Sequence, residues 1–195
     1  MEKSMRVLDN RSATARREKN ARSHTKHLTR CALLIALALI ISVIESFIPL
    51  PFALPGIKLG LSNIVTVYAL FAFGPRDAFA ILAIRIFLGA ALTGQLAALP
   101  FSLAGGAAAF AVAYLFWRFS PYRSVRACSM VSAVAHSIGQ IAAATAITAT
   151  PALAFYLPVL VLASLIVGAI TGTFAAELFA RLPQTEASPH GKLTR

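Results

Sequence analysis

Residues 28–48 read LTRCALLIALALIISVIESFI, an apolar run broken only by Arg30 near its start and Glu45 near its end. An α-helix needs roughly 20 residues to cross the hydrocarbon core of a bilayer, and this run has that length. It is preceded by a segment rich in Lys and Arg. It is followed by Pro49-Leu50-Pro51-Phe52-Ala53-Leu54-Pro55-Gly56, whose prolines and glycine cannot continue a helix and predict an irregular outer loop. The pattern of basic flank, apolar run and Pro/Gly break reads as a first membrane span, not as a core helix of a soluble domain.

Working outward, five more apolar stretches follow. They cover about 57–73, 77–93, 97–117, 125–148 and 153–179, with breaks at Gly74-Pro75, around Gln95, at Ser120-Pro121 and at Thr150-Pro151. A composition of 58% hydrophobic and 13% charged residues, with a mean hydropathy of +0.75, fits a chain whose solvent is mostly lipid. The expected fold is therefore an all-α integral membrane protein, a bundle of six transmembrane helices. Three parts are expected: a disordered basic cytoplasmic tail over 1–27, the membrane domain over 28–182, and a C-terminal cytoplasmic tail over 183–195.

The placement of charge sets the orientation. Of eighteen Lys and Arg residues, nine precede residue 31, Arg76 lies in the second turn, Arg118, Arg123 and Arg126 lie in the fourth, and Arg181, Lys192 and Arg195 close the chain. With six spans these sixteen share one side, and basic loops stay in the cytoplasm. Both termini are then cytoplasmic, and the protein belongs to the cytoplasmic membrane. The formal charge of +11 is explained by this asymmetry. No aromatic-basic platform or nucleic-acid motif accompanies it, so nucleic acid is not an expected partner. Tyr114, Trp117 and Tyr122 fit an aromatic belt at the cytoplasmic interface. Cys31 and Cys128 fall near cytoplasmic span ends, where the compartment is reducing, and predict two thiols.

Charged and amide side chains are costly in lipid, so the few in the spans are the site candidates. They are Glu45, Lys58, Asn63, Arg85, Gln95, His136 and Gln140. Ser129, Ser132, His136 and Gln140 follow each other at spacings of three and four, which places them on one face of the fifth helix. The topology puts Glu45, Lys58, Asn63, Gln95 and Gln140 in the outer half, above Arg85 and His136, as a polar cup open to the outside. The cations suit a ligand carrying a carboxylate or phosphate. Glu45 can equally form a structural ion pair with Lys58 or Arg85, and both readings stand open.

Catalysis has little support. The seven acidic residues are scattered, whereas ionising a prenyl diphosphate calls for clustered aspartates to hold magnesium. No Walker A loop is present, so the chain is not its own ATP motor. A lone intramembrane His without neighbouring ligands argues against a metal, and no cofactor is expected.

Pro55-Gly56-Ile57-Lys58-Leu59-Gly60-Leu61-Ser62-Asn63-Ile64-Val65, preceded by Ile44-Glu45-Ser46-Phe47-Ile48-Pro49, resembles the Gx transporter family. So do Gly74-Pro75-Arg76-Asp77-Ala78, Arg85-Ile86-Phe87-Leu88-Gly89, Ser102-Leu103-Ala104-Gly105-Gly106 and Ala135-His136-Ser137-Ile138-Gly139-Gln140. The resemblance covers about 29–182. Members are often labelled heptaprenyl diphosphate synthase component I, and the family is similar in layout to the substrate-binding S components of energy-coupling factor transporters. That likeness implies a six-helix protein with an outward-facing cup. It also implies a coupling membrane protein and cytoplasmic ATPases as partners, docked through a small-residue face that Ala32 and Ala36 match in spacing.

Overall fold

The computed structural model describes residues 2–47, 58, 60–120 and 124–181. It contains six α-helices: α1 (Glu2–Ser46), α2 (Asn63–Ala72), α3 (Pro75–Thr93), α4 (Leu99–Phe119), α5 (Val125–Thr148) and α6 (Leu157–Arg181). Short 3-10 turns at Leu96–Ala98 and Pro151–Tyr156 lead into α4 and α6. Among the described residues there is no strand. The outer loop expected at 49–56, Tyr122 and the C-terminal tail lie outside the described residues.

The breaks sit where backbone chemistry puts them. Gly74 (φ 99°) turns the chain into Pro75 at the first helical position of α3, and Gly94 (φ 67°) ends that helix in the left-handed conformation. Ser124 caps α5, its Oγ accepting from the Ala127 N–H at 3.3 Å.

The chain divides into two units, Met1–Leu34 and Ile35–Arg195. In the first, the basic segment expected to lack regular structure is instead helical from Glu2. The reason is local: the chain has no Gly or Pro before Pro49, and Ala, Arg, Lys and Glu are strong helix formers. Thr25 and Thr29 satisfy their hydroxyls on the carbonyls one turn back, Ala21 and Thr25. Neither Cys31 nor Cys128 forms a disulfide.

In the second unit α5 is the central helix, packed along its length on α4 and α6. Small residues permit this approach. A Cβ added at Gly168 or Gly172 of α6 would stand 2.8 Å from the Met130 Cα or 2.9 Å from the Arg126 Cα of α5, so this pair, spaced by four, serves internal packing. Hydroxyl pairs between the same helices, Ser129 with Thr171 at 3.1 Å and Ser137 with Ser164, add polar ties along the contact.

Among the described residues, four helical stretches are long and apolar enough to cross a membrane: Ala21–Ser46, Leu96–Phe119, Val125–Thr148 and Pro151–Leu178. On α6, Leu162, Ile166, Ile170 and Phe174 form an exposed stripe one turn apart, a surface that water would penalise and lipid would not. This is the build of an all-helical membrane protein.

The second stretch departs from the expected full span over 57–73. Among the described residues of that stretch only Asn63–Ala72 is helical, about 15 Å at 1.5 Å per residue, half of a roughly 30 Å core. Yet α2 is deeply buried, with Val67, Ala69 and Leu70 fully inaccessible and α3, α4, α5 and α6 around it. The backbone leading into it at Lys58 and Gly60–Ser62 is irregular, a conformation tolerated at membrane depth only where protein supplies its hydrogen bonds.

Candidate functional site: a polar cleft at the start of the short helix

The irregular backbone is held by side chains from three other helices. Glu45, near the end of α1, presents Oε1 to two backbone donors, the Gly60 N–H at 2.5 Å and the Leu61 N–H at 3.2 Å. Gln140 of α5 accepts the Lys58 N–H through Oε1 at 3.3 Å. Arg85 of α3 donates through Nη1 to the Ser62 hydroxyl. Gly60 can enter this arrangement because it has no side chain. Its φ is 81°, and a Cβ would lie 3.0 Å from the His136 Cδ2.

These contacts frame a cleft lined by Ser42 and Glu45 from α1, Lys58, Gly60 and Ser62 from the irregular stretch, Arg85 and Gly89 from α3, and His136 and Gln140 from α5, together with Gln95. Of the seven residues singled out in the sequence, Glu45, Lys58, Arg85, Gln95, His136 and Gln140 line it together. Asn63 does not. It heads α2 and donates from Nδ2 to the Ser132 Oγ at 2.9 Å, tying α2 to α5. The α5 stripe is thus buried as one face but divides its work. Ser129 and Ser132 join helices, while His136 and Gln140 reach the cleft.

The carboxylate of Glu45 is satisfied differently from the ion pair that sequence alone left open. Its hydrogen bonds run to the backbone, and Lys58 and Arg85 act on it by longer-range attraction. Four polar atoms of the cleft's most deeply buried side chains have no hydrogen-bond partner: Glu45 Oε2, Arg85 Nε, His136 Nδ1 and Gln140 Nε2. A buried polar group left unpaired costs about 1–3 kcal/mol. The four residues retain 4%, 5%, 4% and 1% of their surface exposed, so bulk solvent does not satisfy these atoms. The cleft has a volume of about 30 Å³, room for a water or two.

The family description for heptaprenyl diphosphate synthase component I matches residues 34–178. The chain belongs to this family. It is the one the sequence motifs point to under the name Gx transporter family. No curated protein and no solved structure matches the chain. The matched segment of this heptaprenyl diphosphate synthase component I member takes in every residue that lines the cleft.

Ser42, Ser62, Thr93 and Ser102 also line the cleft and were not among the residues singled out as site candidates. One signal was present: Ser42 precedes Glu45 by three residues and so shares its face of α1. Hydroxyls are otherwise too common in helices to stand out. Ala32 and Ala36 are both exposed on α1.

Proposed function

We propose that this protein is a membrane-embedded substrate-binding subunit, similar in role to an S component, that captures a small molecule from outside the cell and depends on partner proteins for energy. The observation that carries this reading is the convergence of Glu45, Arg85, His136 and Gln140, each with an unpartnered buried atom, on one cleft. Structural polar ties, such as Asn63 with Ser132, satisfy both partners; the cleft residues keep donors and an acceptor in reserve, as a binding site does. The irregular entry into a half-length helix supports the same reading, because discontinuous helices bring backbone polar groups to midplane sites in transporters.

Six membrane crossings with both termini in the cytoplasm complete the proposal. Here α2 and its irregular lead make up the second crossing, and α3, which carries Arg76, Asp77 and Arg85, makes the third. The protein is a non-catalytic subunit whose motor is a coupling membrane protein with cytoplasmic ATPases. Ala32 and Ala36 match in sequence spacing the small-residue docking face that the resemblance implies.

A second reading rests on the family's own description: a non-catalytic membrane accessory of prenyl diphosphate synthesis. Gentle affinity purification from the native membrane, with identification of the co-purifying proteins, separates the two. Recovery of a coupling protein with ATPases is the expected result. Recovery of prenyl synthase subunits in their place would move the protein to the accessory class.

A further inference from the structure

The unpartnered atoms of the cleft differ in kind, and their mixture restricts what can fill it. Arg85 Nε and Gln140 Nε2 can only donate. Glu45 Oε2, in an ionised carboxylate, can only accept. His136 Nδ1 serves as either, depending on its tautomer. The charged side chains lining the cleft are two cations, Lys58 and Arg85, and one anion, Glu45. A cation would meet two like charges, and a purely apolar ligand would leave every one of these atoms unpaired. A simple carboxylate, with no donor of its own, would satisfy Arg85 and Gln140 but set its charge against Glu45 with nothing to offer Oε2.

We infer that the cleft takes a small acid that also carries a hydrogen-bond donor, with the acidic group for Arg85, Gln140 and Lys58 and an N–H or O–H for Glu45 Oε2. This inference rests on the binding reading above and narrows it. A ligand with one net negative charge balances the excess positive charge of the lining. In a low-dielectric site that balance matters more than it would in water. Glu45 then has two roles on its two oxygens: Oε1 holds the Gly60–Leu61 backbone, and Oε2 selects for the donor. Because the first role is structural, the informative substitution lies elsewhere. Lys58 is half-buried and uses its backbone N–H, not its ammonium, in the hydrogen bond to Gln140, so Lys58→Gln removes charge and leaves that tie intact.

The test is to equilibrate the purified, folded protein with a uniformly ¹³C,¹⁵N-labelled small-molecule extract of the cells that produce it, and to identify by mass spectrometry what is retained. The labelled mass shift gives the elemental composition, and charge state with derivatisation reports the acid and its N–H or O–H groups. The expected result is retention of an acid that bears such a donor, reduced about tenfold or more by Lys58→Gln, as for loss of a charge-assisted contact. Retention of an acid without an N–H or O–H beyond its acidic group, or of a neutral or cationic compound, would overturn this inference and leave the binding reading standing. Retention of nothing by either protein would overturn both.

Discussion

Glu45 is where backbone architecture and ligand chemistry meet in one side chain. Its Oε1 accepts from Gly60 and Leu61, so Glu45→Ala would leave two amide donors without their acceptor, the Gly60 bond being buried and the Leu61 bond partly so. The expected loss is about 1–3 kcal/mol for each donor, read as a lower apparent melting temperature in detergent, with Glu45→Gln in between because its amide oxygen still accepts. A melting temperature unchanged by Glu45→Ala would mean that the irregular stretch is held by other contacts. Arg85 acts on the same stretch from α3 through Ser62. Arg85→Gln is expected to weaken small-molecule retention by about 10- to 100-fold, the range for a hydrogen bond to a charged group. If retention and fold both survive it, the anionic part of the ligand binds elsewhere.

The helices themselves show why some of this was legible and some was not. α5 matched its expected bounds because a Ser124 cap begins it and the Thr150-Pro151 break follows it, both signals that act through local backbone chemistry. The polar stripe on α5 was legible as one face for the same local reason, its spacing. The short α2 was not. Leu61 is as apolar as a helix would require, and hydropathy does not distinguish helix from irregular backbone whose hydrogen bonds come from Glu45 and Gln140. The one local hint was Gly60, whose positive φ and contact with His136 need a residue without a Cβ. The α5–α6 contact gives its own test. Gly168→Ala would press a methyl group to 2.8 Å from the Met130 Cα, and overpacking of this sort costs about 1–3 kcal/mol. A variant as stable as the parent would show that α6 shifts freely against α5.

For the whole molecule, the account makes a topological claim that labelling can check. Leu96, exposed in the turn after Gly94, and Arg76, exposed at the start of α3, should face opposite sides. With Leu96→Cys and Arg76→Cys, a membrane-impermeant maleimide added to intact cells is expected to label the first, and the second only after permeabilisation. The reverse pattern would invert the orientation read from the basic residues. The account also expects no prenyl product when the purified protein is supplied with allylic and homoallylic diphosphates and magnesium, and product formation would make it an enzyme. The central claim, that the cleft holds a polar small molecule, is tested most directly by denaturing protein purified gently from its native membrane and quantifying what is released. A polar compound in stoichiometric amount, absent from the Arg85→Gln variant, is the predicted result. Release of no polar compound above that from a mock preparation, or of a prenyl lipid alone, would contradict it.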